Sequence, residues 1–132
     1  MFNADIALIG CFGHPNLGDE LLLKCWIEEI LRHQPKFKIL VDCHIPGNVY
    51  AILGDYNGRV RYQDAIWRLA WDGPNNDSLS SLIDGFNMAN INNEDISYTR
   101  FMLKPLTKVK LLHFIGGGIF EMVGLSIIAY YL

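Results

Sequence analysis

A chain of 132 residues, 51% apolar and 19% charged with a net charge of −3, can build one domain with a real core and is too short for two. Its eleven Lys and Arg are scattered and outnumbered by fourteen Asp and Glu, so nothing electrostatic points to nucleic acid. Three cysteines without regular spacing do not make a disulfide framework, the Asp-bearing start does not read as a secretory leader, and the cytoplasm is the expected location.

The first element is "ADIALIG", Ala4 to Gly10, a short apolar run that ends in glycine and reads as a buried strand. Helical periodicity follows from Asp19 to about His33. Leu23, Trp26, Ile27, Ile30 and Leu31 share one stripe, opposite Lys24, Glu28, Glu29 and Arg32. Asp19 and Glu20 sit in its first turn, where carboxylates suit the positive end of the helix dipole, and Pro35 marks its end. "FKILVDC" (Phe37 to Cys43) predicts a second strand, "PGNVYAILGDY" a short helix stopped by Gly54 or Gly58, and "RVRYQ" (Arg59 to Gln63) a weaker third strand. "DAIWRLAW" predicts another helix with Asp64 placed to cap it. The turn cluster "DGPNNDS", a weak helix from Ser78 to about Asn90 and the polar loop "ANINNEDIS" come next. "KVKLLHFIGGG" (Lys108 to Gly118) predicts the last strand and Ile119 to Leu132 the last helix. There is no internal repeat.

The last segment raises the question of a membrane span. From Leu111 to Leu132 the one clearly charged residue is Glu121, but Gly116, Gly117 and Gly118 interrupt the run, each costing about 1 kcal/mol in a helix relative to Ala. The apolar stretch from Met122 onward would cover only about 16 Å as a helix, against a hydrocarbon core of about 30 Å. A buried strand, a glycine corner and a buried helix fit better, and no membrane span is expected.

Strands alternating with helices predict an α/β fold: a Rossmann-like half-domain of about four mainly parallel strands with flanking helices, joined by right-handed crossovers. Ligands of such sheets sit at the carboxyl ends of the strands. Both glycine segments, Gly10 to Gly18 and Gly116 to Gly118, fall at such ends and are expected to face one crevice.

Within the first segment, "GHPNLGDELLL", Gly13 and Gly18 have the spacing of a phosphate-binding loop, but Asp19 and Glu20 stand where Lys and Ser or Thr would follow. Those carboxylates repel a triphosphate. They suit hydroxyl-rich ligands, because an ionised carboxylate only accepts hydrogen bonds and sugar hydroxyls donate them, while Asn16 does both. The same residues also suit a bare strand-to-helix turn, with Asp19 capping the helix and Asn16 closing the turn. A dinucleotide site would use Asp42, which follows Gly18 at roughly the interval of a ribose-binding acid, but G-x-G-x-x-G is absent. Cys11 and His14 after the first strand, with Cys43 and His44 after the second, have zinc-compatible chemistry without the spacing of a known module. They read as small buried cysteines and exposed loop histidines, and His113 as a hydrogen-bonded core histidine, so no metal site is expected. No catalytic triad can be assembled from the spacing.

"IGCFGHPNLGDELLL" and "LLHFIGGGIFEMVG" together resemble the polysaccharide pyruvyl transferase family, whose members carry Asn-x-Gly-Asp-Glu/Asp after the first strand and a Gly-Gly-Gly motif after a later one. Asn16, Gly18, Asp19 and Glu20 match the first motif, and Gly116, Gly117 and Gly118 the second; the region from about Tyr50 to Thr107 adds only compatible elements. The resemblance implies the N-terminal, acceptor-side half of a two-domain, glycosyltransferase-like fold that moves the pyruvyl group of phosphoenolpyruvate onto two hydroxyls of a sugar as a ketal. It implies no cofactor besides that donor, and it assigns the donor-binding cations and the catalytic groups to a C-terminal half that this chain lacks. Substrate contacts are expected at His14, Asn16, Gly18, Asp19, Gly116, Gly117, Gly118 and Glu121, with no catalytic residue in the chain. The expected partners are a sugar or polysaccharide-precursor acceptor, and either a C-terminal domain or a second copy held through the all-apolar last helix. The competing reading is a non-enzymatic Rossmann-like module that binds a nucleotide or a protein.

Overall fold

The computed structural model describes residues 2–14, 16–67 and 101–115. Four strands form one sheet: β1 (Ile6–Gly10), β2 (Ile39–Cys43), β3 (Val60–Gln63) and β4 (Leu111–Ile115), in the order β3-β2-β1-β4. Every pairing is parallel. β1 and β2 are buried at every position, the signature of central parallel strands covered on both faces, whereas β3 and β4 flank the described sheet and are partly exposed. The expected α/β, Rossmann-like arrangement is the observed one. Each predicted strand starts one to three residues later than expected, at its first paired residue.

Helix α1 (Leu17–His33) connects β1 to β2, and α2 (Pro46–Leu53) connects β2 to β3. α1 starts two residues ahead of the expected Asp19 because Asn16 is its N-cap, accepting a bond from the Gly18 N–H at 3.2 Å. Arg32 and His33 in its last turn complement the dipole at the other end. Pro46 begins α2, where its missing N–H costs nothing, and Gly54 ends it with φ +70°.

The two sheet faces pack different material. On one, Leu23, Ile27 and Leu31 of α1 and Val49 of α2 meet Ile6, Leu8, Ile39, Val41, Val60 and Ile115. On the other, Ala7, Ile9 and Leu40 meet Ala65, Ile66, Trp67, Leu103, Leu106 and Val109. Both crossovers that move from β1 toward β3 thus lie on one face, and the described parts of the return toward β4 pack on the other, as crossovers of one hand require. Trp26, expected in the buried stripe, instead lies at its margin, 38% exposed, with its ring 4.3 Å from that of His113 on β4.

Asp5 fastens the amino edge of the sheet. Its carboxylate accepts from the Lys38 N–H at 3.0 Å and pairs with the Lys110 ammonium at 3.2 Å, so one side chain aligns the starts of β1, β2 and β4. That alignment carries along the strands to the opposite edge, where Gly10 lies level with Cys43 and with Ile115. The chain therefore leaves β1, β2 and β4 side by side.

Candidate functional site

At the carboxyl edge the chain turns from β1 into α1 through Cys11–His14. Phe12 dives back under the sheet end and is fully buried; a Cβ on Gly10 would overlap its ring. Gly13 then adopts φ +96°, and a Cβ there would overlap the carbonyl of Ile45, so both backbone shape and space require glycine. Three hydrogen bonds clamp this turn: Gly13 N–H donates to Glu20 Oε1 at 2.8 Å, Asn48 Nδ2 donates to the Gly13 carbonyl at 2.9 Å, and Ile45 N–H donates to the Phe12 carbonyl at 3.2 Å. The β1–α1 corner is thereby tied to the β2–α2 corner.

Glu20 lies in the first turn of α1 as expected, and does more there than complement the helix dipole. It is 4% exposed and turned inward to hold the loop. The signal was available: Glu20, Leu23, Ile27 and Leu31 fall on one stripe at helical spacing, and all four are buried. Its neighbour Asp19 points outward and accepts from Asn16 Nδ2 at 2.8 Å, while Asn16 N–H bonds the His14 carbonyl at 2.6 Å. The helix cap is therefore Asn16, with Asp19 as its brace, a reversal of the expected division of labour.

His14 and His44 are not exposed loop residues. Both are half-buried, His14 Nε2 lies 2.5 Å from His44 Nδ1, and the ring centroids are 4.6 Å apart with the planes 28° from parallel. The Trp67 ring lies 5.6 Å from that of His44. Of the cysteines at these strand ends, Cys43 is buried as expected, whereas Cys11 is only half-buried. Burial pushes both thiols up from their ordinary range, and the charges of Asp19 and Glu20 push Cys11 further the same way. Among the described residues, no three His, Cys, Asp or Glu side chains are placed to hold a metal ion.

Asp42 ends as a structural group. It is fully buried and accepts from Gln63 Nε2 at 2.9 Å and from the backbone N–H of Ala65 and Ile66 at 3.1 Å each, so it starts the helical turn at residues 65–67. Burial raises its pKa to about 7 against the pull of those three donors. A ribose cannot reach it.

No protein-family model, curated protein or solved structure matches the chain. The site is accordingly argued from its own chemistry. Of the expected contact residues, His14, Asn16, Gly18 and Asp19 are brought together at the carboxyl edge; Gly116, Gly117, Gly118 and Glu121 lie outside the described residues, beyond Ile115, whose register with Gly10 puts its end at the same edge. His44, Glu20 and Asn48 join them without having been expected as site residues. A separate groove of about 440 Å³ runs between α2 and β3, with Tyr50 and Tyr62 edge-to-face on its wall, and no residue of the glycine corner lines it. Among the described residues, no helix is long and apolar enough to cross a membrane.

Proposed function

We propose that the carboxyl edge at the β1–α1 corner is the sugar-facing wall of a polysaccharide pyruvyl transferase, which carries the pyruvyl group of phosphoenolpyruvate to two sugar hydroxyls as a ketal. The observation that carries this reading is the Asn16–Asp19 pair, braced side chain to side chain beside the His14 turn with Gly18 exposed between them. The pair offers hydroxyl groups an ionised acceptor and a mixed donor–acceptor at the edge where parallel sheets bind ligands. Two carboxylates at the start of α1 make the same spot unfavourable for nucleotide phosphates. The burial of Asp42 weakens the dinucleotide alternative further.

Gly116 to Gly118 and Glu121 belong to the proposal through the sequence resemblance. Phosphoenolpyruvate requires cationic partners. The proposal assigns these to a C-terminal half like that of the resembled family, or to a second copy joined through the last helix, and it sets the reaction in the cytoplasm. The 132-residue chain alone is expected to be inactive in pyruvyl transfer.

Ligand-observed NMR on the chain with methyl β-D-galactopyranoside, phosphoenolpyruvate and ATP tests the reading. Saturation transfer to the glycoside, lost in Asp19→Ala and absent for phosphoenolpyruvate, is the expected outcome. ATP binding that survives Asp19→Ala would overturn the reading in favour of a nucleotide module.

A further inference from the structure

Two adjacent parallel strands each deliver one imidazole to the same point, because Gly10 and Cys43 are level and a histidine lies shortly beyond each. The two facing nitrogens, His14 Nε2 and His44 Nδ1, are 2.5 Å apart. At that separation only one of them can carry a hydrogen pointed at the other. The contact therefore holds one bridging proton: one ring donates, the other accepts. A single added proton can be shared across both rings with the contact intact. A second would place hydrogens on both facing nitrogens and break it.

We propose that His14 and His44 form a one-proton couple that accepts the proton of a ligand hydroxyl at the carboxyl edge, an inference that rests on the sugar-binding reading above. His14 belongs to the same turn as Asn16, whose N–H bonds the His14 carbonyl, and the proposal sets the hydroxyl held by Asn16 and Asp19 against the His14 ring. With His14 as the donor in the bridge, its Nδ1 is the basic nitrogen. In the step, the ligand O–H bond breaks, its electron pair stays on oxygen, and a new N–H bond forms at His14 Nδ1. The bridging proton then moves toward His44, and the single positive charge is spread over two rings. The oxygen left behind is the nucleophile that transfer to a sugar requires.

Carboxylates lie near the strand ends that carry the two histidines: Asp19 and Glu20 act on the Cys11 thiol, and Asp42, Asp64 and Glu20 on that of Cys43, while the Trp67 ring lies 5.6 Å from that of His44. The clamp on Gly13 fixes the turn that carries His14.

The test is an imidazole-nitrogen NMR titration of the 132-residue protein between about pH 5 and pH 8, where a histidine changes charge. The expected result is two macroscopic steps, each registered at both rings, with His44→Gln reducing His14 to a single step. Independent single-step curves in the unmutated protein overturn the couple, whatever becomes of the variant. Adding methyl β-D-galactopyranoside is expected to shift the His14 ring nitrogens and displace the coupled steps, while its fully O-methylated derivative, which has no hydroxyl to donate, leaves them in place. Coupled titration without any response to the glycoside overturns the sugar reading and with it the proton-accepting role. A response to the glycoside with uncoupled titration overturns the couple and leaves the sugar reading standing.

Discussion

Two of the helical segments that begin at the carboxyl edge, α1 and the turn at residues 65–67, are started in opposite ways. α1 is capped from its own sequence: Asn16 bonds the N–H two residues ahead and is braced by Asp19, three residues on, with Asn16 exposed and Asp19 only partly covered. The helical turn at residues 65–67 is capped from a distance by Asp42, a fully buried carboxyl that lies 23 and 24 residues from the amides it accepts. The first arrangement leaves polar atoms in contact with solvent that a ligand can share. The second consumes them all. A ligand site and a folding anchor can thus use the same residue types at the same sheet edge, and what separates them is burial.

The comparison is broken most strongly at Asp42. Asp42→Ala leaves Gln63 Nε2 and two backbone N–H groups buried without their acceptor, and is expected to cost about 3 kcal/mol or more, at about 1–3 kcal/mol for each stranded group. Urea denaturation midpoints measure it, and a loss as small as that of a surface substitution would mean that water replaces the carboxyl. The same residue sets a pH dependence. Its folded pKa of about 7 is raised above the unfolded value, so its contribution is complete below the ordinary carboxylate range and is lost as pH rises through about 7. The urea midpoint of the unmutated protein should therefore fall from acidic to neutral pH, and Asp42→Asn should flatten that part of the curve. A midpoint that rose over the interval would contradict the assignment.

The clamp that joins the two corners is the next largest effect. Gly13→Ala combines a positive φ with overlap at the Ile45 carbonyl, and about 2 kcal/mol of stability is expected to be lost, together with the His14–His44 contact seen by NMR. Asn16→Ala should cost only about 1 kcal/mol, the ordinary worth of an N-cap. It sharpens the contrast because glycoside binding should disappear while the fold persists. In Asp42→Asn the glycoside response should survive wherever the protein is folded.

Much of this architecture is readable from local pattern. The apolar runs that become β1 and β2 are buried throughout, Pro46 and Gly54 bound α2 as their backbone preferences require, and glycine at the first corner answers to a positive φ. The errors arise where a side chain acts far from its own position. The amides of Ala65 and Ile66 donate to Asp42, 23 and 24 residues away, a pairing set by the alignment of β2 with β3 that no local pattern shows. Charge alone places Glu20 at the helix dipole, whereas its position on the buried stripe turns it inward. His14 and His44 are legible separately as residues at strand ends; their contact depends on the level register of Gly10 with Cys43, which no local pattern encodes.

The strand order has a consequence for how the protein is made. β1 lies between β2 and β4, yet Ile6 pairs with both Ile39 and Leu111. During synthesis the β1–β2 pair can close early, while the other edge of β1 stays without its partner until residues 111–115 have left the ribosome. At about 5–20 residues per second that interval lasts several seconds. For that time the nascent chain presents an apolar, unpaired strand edge, a border at which a chaperone or a second nascent copy would intervene.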